Sequence, residues 1–187
     1  MKEAMNIVWL KRDLRLQDHL PFFEAENNSK CNYLPIYILE PSAMAYPDSS
    51  LRHVQFVYHS ILEMNSILAA FNRKIYILYG EAMEVFNSLN EQFDIQNVYS
   101  YQESGVKSTW DRDKNVSSFL QKNGIEWTEF QRDGIIRGIK NRVNWDKNWF
   151  VAVNSPLILN VYSHNTHPLK SFSFYLPESL EKSLQKY

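Results

Sequence analysis

Short apolar segments alternate with longer segments of helical periodicity along most of this 187-residue chain, and no other feature restricts its fold as much. The apolar segments end abruptly in charged or turn residues, as buried strands do where they leave a sheet. They are Ile7–Leu10, Tyr33–Leu39, Lys74–Tyr79, Asn97–Tyr101 and Ile125–Phe130. Strands separated by helices in this way form βαβ units with right-handed crossovers. The sequence therefore predicts an α/β fold with a five-stranded, doubly wound parallel sheet.

The segments between the predicted strands carry apolar residues on one face, which indicates helices packed on the sheet. Asp18 is the predicted cap of the first helix. Residues 42–50 are predicted as a loop, and a long helix follows over residues 51–71. The next helix is predicted to include Phe93 in its apolar face, and another ends at Gly124, a residue suited to a left-handed cap.

Composition excludes several classes of protein. The net charge of -1 gives no general attraction to nucleic acid, because phosphate binding depends on clustered Lys and Arg. The single cysteine, Cys31, excludes an internal disulfide and, with scattered histidines, argues against a structural zinc site. No apolar run approaches the roughly 20 residues that cross a bilayer, and the amino terminus is unlike a signal peptide. We therefore expect a cytoplasmic protein without a membrane partner.

The residues after the first strand are the first candidates for a binding site. Lys11, Arg12, Asp13 and Arg15 form a dense block of charge directly after Leu10. Ligands of open α/β sheets bind beyond the carboxyl ends of the strands, so this block should border a cleft. The alternative is that Arg12, Asp13 and Arg15 pair with each other and with neighbouring acids and only fix the loop.

The motifs of common catalytic and nucleotide sites are missing. The sequence has no G-x-x-x-x-G-K-[ST], no G-x-G-x-x-G after the first strand and no G-x-S-x-G. Glu40, Glu81 and Glu103 each follow a predicted strand and are candidates for acid or base work. They can equally hydrogen-bond the ring of a bound heterocycle, or simply be solvated. We predict no catalytic residue and no metal site.

The last quarter of the chain differs from the rest. Residues 134–150 place basic residues, Arg137 among them, between apolar and aromatic positions. From Val151, prolines separated by Ser and Asn are typical of an extended linker, with a helix predicted within Pro177–Gln185.

The opening segment also resembles a known family. Trp9–Asp18, WLKRDLRLQD, is similar to the W-[FL]-[RK]-R-D-L-R-x-x-D block of the DNA photolyase and cryptochrome family. Further segments resemble other elements of that family: Pro35–Pro41, Ser50–Phe56, Tyr79–Gly80, Tyr101–Gly105, Trp110–Asp113 and Gly134–Arg142 with Trp145. The last three elements are similar to those of a bacterial cryptochrome-like branch. Gly138 stands where that branch has an arginine.

The resemblance implies a domain layout and partners. Residues 1–133 would be the amino-terminal α/β domain, residues 134–150 a basic aromatic segment that closes it, and residues 151–187 an interdomain linker. The helical FAD-binding domain of the family would be missing. The full-length flavoprotein would use blue light to split pyrimidine dimers in damaged DNA, as a lyase in DNA repair, or would act as a cryptochrome in signalling.

The resemblance also implies a light-harvesting chromophore in the α/β domain. The residues that would line its cleft are Arg12, Asp13, Glu40, Met44, Arg52, Phe56 and Glu103. Folate-using photolyases hold their chromophore with an Asn-Glu pair, whose place is taken here by Ser108 and Thr109. This difference favours a deazaflavin, flavin or lumazine over a folate.

Two alternatives have no light chemistry: a stand-alone nucleotide- or flavin-binding module, and an interaction domain that docks on a helical partner through aromatic residues. A photolyase half should expose apolar surface where its helical half is missing.

Overall fold

A computed structural model describes residues 1–28, 30–135, 140–166 and 175–186. The strands are β1 (Glu3–Leu10), β2 (Asn32–Leu39), β3 (Tyr76–Tyr79), β4 (Phe93–Tyr101) and β5 (Glu126–Phe130). The helices are α1 (Leu20–Asn27), α2 (Pro41–Met44), α3 (Leu51–Leu68), α4 (Ala82–Gln92), α5 (Lys107–Lys122), α6 (Trp145–Val153) and α7 (Glu178–Gln185). A short 3-10 helix, Ala69–Phe71, extends α3.

All five strands are parallel, in the order β3-β2-β1-β4-β5. The predicted five-stranded doubly wound sheet is thus confirmed. The chain first builds outward from β1 to β3 and then returns to add β4 on the other side of β1. The strand order therefore reverses between β1 and β4, and the carboxyl ends of strands at such a point border the crevice where α/β proteins bind ligands.

Helices cover both faces of the sheet. On one face, α4 and α5 pack on the strands through Phe86, Leu89 and Val116, all essentially inaccessible to water. On the other face, α1 and α3 bury Phe22 and Ile61 against the central strands. Burial of these large side chains stabilises the sheet by roughly 1.5–3 kcal/mol each. Because both faces are covered, Ile7–Leu10 of β1 and Tyr33–Leu39 of β2 are continuously apolar.

Several predicted boundaries are wrong. The cap of α1 is His19, whose Nδ1 accepts a hydrogen bond from the Phe22 amide, and not Asp18, which has a φ of 54°. Residues 42–50 are not entirely loop, because α2 begins at Pro41. Phe93 belongs to β4 and not to the preceding helix. In this stretch Phe93 and Ile95 are buried while their neighbours are exposed, which is the period of a strand.

The carboxyl-terminal residues return to the α/β domain. The extended linker does not begin at Val151, because α6 continues to Val153. Beyond it, Tyr162 is buried between Phe22 and Phe71, and its hydroxyl donates to the Leu16 carbonyl at 2.6 Å. The predicted last helix is confirmed as α7, which buries Leu184 against α3.

Arg137 and Gly138 of the basic segment, and Pro168 of the linker, lie outside the described residues. Among the residues that are described, no helix is both long and apolar enough to cross a membrane.

Candidate functional site

A cleft of about 460 Å³ opens at the carboxyl edge of the sheet. Three of its charged residues follow different strands: Arg12 follows β1, Glu40 follows β2 and Glu103 follows β4. Part of its apolar lining comes from α2 and α3, through Met44, Val54 and Val57, with Val106 at the start of α5. The cleft therefore combines apolar walls with a charged floor at the predicted edge of the sheet.

An ion pair spans the point where the strand order reverses. Arg12 Nε lies 2.9 Å from Glu103 Oε1, so the loops after β1 and β4 are joined directly. The Arg12 side chain is 58% exposed, whereas that of Glu103 is 3% exposed. Gly105 allows this approach, because a Cβ there would lie 2.6 Å from Glu103 Oε1 and 3.0 Å from the Arg12 guanidinium. Arg12 can therefore reach a molecule in the cleft while Glu103 holds it in place.

Arg112 of α5 contacts carboxylates in the loops after β2 and β4. It lies 2.7 Å from Glu40 Oε1 and 2.8 Å from Asp113 Oδ1, and its guanidinium stacks 5.0 Å from the Trp9 ring. Burial raises the pKa of Glu40, although the bond from Arg112 acts in the opposite direction. A planar guanidinium suits this position because it can bind two carboxylates and an aromatic face at once.

Lys11 is the buried cation behind this group. Its Nζ lies 2.9 Å from Asp113 Oδ2 and over the rings of Trp9 and Trp127. Burial outweighs the attraction of Asp113 and lowers the pKa of Lys11. Trp9 belongs to the core, as its 2% exposure shows.

Tyr37 also lines the cleft. Burial raises its pKa to about 12, so the hydroxyl stays protonated at neutral pH and can donate a hydrogen bond.

Asp13 faces the opposite side of the loop from Arg12. Its carboxylate accepts a hydrogen bond from the Lys11 amide and lies 2.6 Å from His19 Nε2. Because His19 Nδ1 accepts from the Phe22 amide, the ring proton resides on Nε2 and is donated to Asp13. Burial alone would raise the pKa of Asp13, but the bonds from His19 and from the Lys11 amide hold it below its ordinary value.

A sequence profile described as DNA photolyase matches residues 6–139, which include the whole sheet except the first residues of β1. The match covers well over half of the chain. The chain belongs to the DNA photolyase family.

Curated relatives agree with this assignment. The deoxyribodipyrimidine photo-lyase of Buchnera aphidicola is 22% identical over 171 residues, covering 87% of this chain and 34% of the relative. That of Salmonella typhimurium is 28% identical over 131 residues, covering 70% of this chain and 24% of the relative. Cryptochrome-2 of Gallus gallus is 22% identical over 121 residues, covering 65% and 20%. The chain thus spans at most about a third of the length of these relatives.

Solved photolyases share the fold. An archaeal photolyase from Sulfolobus tokodaii, solved with two FAD molecules, superposes with a TM-score of 0.70 at 19% identity, covering 97% of this chain and 42% of that protein. A bacterial class III photolyase from Agrobacterium tumefaciens gives a TM-score of 0.67 at 20% identity, covering 92% of this chain and 38% of that protein.

Of the seven residues predicted to line a chromophore cleft, Arg12, Glu40, Met44 and Glu103 lie together in the cleft at the carboxyl edge of the sheet. Asp13, Arg52 and Phe56 do not line it. Asp13 is buried against His19, and Arg52 and Phe56 are exposed on the neighbouring face of α3, where His53 and Val57 instead point into the cleft. A shift of one residue along a helix rotates a side chain by about 100°, which accounts for the difference.

Sequence reasoning placed Lys11 in the charged block at the cleft but missed Tyr37 and Arg112 as parts of the site. For Arg112 a signal was available in its neighbour. Asp113, Val116 and Leu120 share the buried face of α5, and a carboxylate on an apolar face requires a cationic partner.

Among the described residues, no group of three potential metal-binding side chains is present.

Proposed function

We propose that this chain is the light-harvesting domain of a blue-light-dependent DNA photolyase or cryptochrome, and that its cleft holds a planar chromophore of flavin type. The observation that carries this proposal is the position of the cleft. It lies at the reversal of strand order in a member of the photolyase family, with apolar walls and a polar floor. The two FAD molecules of the archaeal relative support a flavin-type ring.

An antenna site must hold a ring rigidly and keep water from its faces; it need not transfer protons. The walls formed by Met44 and Val57 can cover the ring faces, and the polar ring edge can meet Arg12, Glu40 and Glu103. Since the Arg12–Glu103 pair joins loops from β1 and β4, it is fixed before the ligand arrives. In this proposal the protein orients the chromophore, and the bound chromophore supplies the light absorption.

The residues at the start of α5 favour a ring other than folate. Ser108 and Thr109 line the cleft at the positions where the family resemblance places the folate-binding Asn-Glu pair. Their short hydroxyl side chains lack both the amide and the carboxylate of that pair. A deazaflavin, flavin or lumazine therefore fits the proposal better than a folate.

The partner proposed for this domain is the helical FAD-binding domain of the family, through which the full-length protein would act on damaged DNA. Exposed apolar side chains support a missing partner. Leu157, Leu159 and Val161 are each at least 77% exposed, while Asn160 and Tyr162 between and beside them are buried against the α/β domain. A segment with apolar residues on its outer side is expected to be covered in the complete protein.

The same proposal includes the activity of the full-length protein, which is either splitting of pyrimidine dimers or signalling. It also includes membership of the bacterial cryptochrome-like branch and a cytoplasmic location.

Binding of a flavin to the purified chain tests the proposal. We expect riboflavin fluorescence to change saturably on titration with the protein, and 5,10-methenyltetrahydrofolate to bind more weakly. Ala43→Trp should abolish riboflavin binding, because Ala43 lines the cleft and is exposed on α2. The matched control is Ala70→Trp, at an exposed position after α3 that does not line the cleft. If both variants lose riboflavin binding equally, or if both bind riboflavin equally well, a binding site in this cleft would be contradicted.

A further inference from the structure

The cations of the cleft are already paired. Lys11 lies 2.9 Å from Asp113, Arg12 lies 2.9 Å from Glu103, and Arg112 lies 2.7 Å from Glu40. The Lys11 side chain is only 4% exposed and that of Arg112 only 16%, so neither can turn toward a ligand without leaving its carboxylate. Breaking a buried pair of this kind is expensive, because it leaves a charge without a partner.

Carboxylates match the cations in number along the cleft. Its lining includes the cations Lys11, Arg12 and Arg112 and the carboxylates Glu40, Asp48 and Glu103, while Asp113 and Glu129 lie behind it beside Lys11. Asp48 lies at the mouth, in the loop between α2 and α3. A dianionic phosphate entering this cleft would have to compete with these carboxylates for Arg12, the one of the three cations that is largely exposed.

An uncharged ring does not meet this obstacle. Its ring N–H groups can donate to carboxylate oxygens, its carbonyls can accept from Arg12 or from the Tyr37 hydroxyl, and its faces can pack on Met44, Val54 and Val57. The floor and walls therefore suit a neutral heterocycle with both donors and acceptors on its edge.

We propose that the cleft selects an uncharged planar heterocycle and discriminates against the phosphorylated form of the same ring. This inference rests on the proposed function, since it concerns the chromophore of the same cleft, and it specifies the chemical class of that chromophore. The discrimination arises from the pairing of Arg12 with Glu103 and not from the size of the ring.

Riboflavin and FMN test the inference because they share one ring and differ by a phosphate. Fluorescence titration at low ionic strength should give a Kd for FMN about fivefold higher than for riboflavin, which is the upper range for an exposed pair of charges. The ratio should approach one as salt is raised, because ions screen charges at the open mouth. An FMN Kd equal to or below that of riboflavin would overturn the inference while leaving the proposed function intact.

Glu103→Gln tests the source of the discrimination. The variant keeps the shape of the side chain, removes one carboxylate and releases Arg12, so the ratio of the two Kd values should fall. Glu91→Gln, on the exposed face of α4, removes the same charge away from the cleft and should leave the ratio unchanged. An unchanged ratio in Glu103→Gln would overturn the proposed role of the Arg12–Glu103 pair. If neither flavin binds the wild type, the proposed function fails and this inference fails with it.

Discussion

The two sides of the loop after β1 are built differently, although their key residues are adjacent in sequence. On the cleft side, Arg12 leaves 58% of its side chain exposed and touches the loop after β4. On the opposite side, the Asp13 carboxylate is 1% exposed and bonds to His19. One charged motif therefore performs two tasks: its inward residues hold the loop, and its outward residue remains available to a ligand.

The inward side is also connected to the carboxyl-terminal residues. Asn160 accepts a hydrogen bond from the His19 amide at 2.9 Å and donates to the His19 carbonyl at 2.8 Å. Its side-chain amide thus pairs with the backbone as a neighbouring strand would. Asp13, His19 and Asn160 form a continuous chain of bonds from the loop to the returning segment, so these two parts of the molecule should loosen together.

The largest effect is expected from Asp13→Ala. The change leaves the Lys11 amide and the His19 ring proton buried without an acceptor, which should lower the free energy of unfolding by about 3 kcal/mol. Urea unfolding followed by circular dichroism measures the change. Asp111→Ala is the control, because the Asp111 side chain is 47% exposed on α5 and, among the described residues, forms its ion pair with Lys107 of the same helix. Similar unfolding midpoints for both variants would contradict a structural role for Asp13.

The same carboxylate should make stability depend on pH in the acidic range. Because its folded pKa lies below the unfolded value of about 3.9, ionised Asp13 stabilises the fold above that pH. This contribution is lost as the pH falls through the folded pKa. The difference in stability between the wild type and Asp13→Asn should therefore be full at neutral pH and shrink below about pH 4. If the difference in stability stays constant down to pH 2, the charge of Asp13 does not contribute to the stability of the fold.

A smaller effect is expected from Asn160→Ala. Loss of both bonds to the His19 backbone should cost about 2 kcal/mol and speed hydrogen exchange of the Asp18 and Ile158 amides, which bond across the same junction. Asn148→Ala, exposed on α6, is the matched control. An unchanged hydrogen-exchange rate of the Asp18 amide would mean that residues 158–162 are held by other contacts, such as those of Tyr162.

The smallest effect on stability is expected from Arg12→Ala. Arg12 is largely exposed and buried Glu103 keeps Arg112 at 3.7 Å, so the cost should stay below about 1 kcal/mol. Riboflavin binding should nevertheless weaken by about fivefold, the equivalent of one typical hydrogen bond. Gly105→Ala should also weaken binding, since its Cβ would displace the pair without removing a charge. If both variants bind riboflavin as tightly as the wild type, Arg12 does not contribute to the binding site.

The sheet and its binding edge were predictable because strand burial and helix periodicity are local patterns. The position of Arg12, Glu40 and Glu103 followed from their place after three parallel strands. The Arg112 bridge to Glu40 could not be predicted in the same way, because it joins residues 72 positions apart. The orientation of Asp13 was equally inaccessible: sequence shows a charged loop, but only the packing of α1 and the returning segment determines which of its charges is buried.

A crystal soaked with riboflavin would examine the proposed site most directly. We expect the ring between the wall formed by Met44 and Val57 and the Arg12–Glu103 pair, with its polar edge toward the floor of the cleft. A ring bound instead in the hollow lined by Asn28, Cys31 and Thr128, or a cleft that stays empty at saturating riboflavin, would contradict the assignment of this cleft to the chromophore.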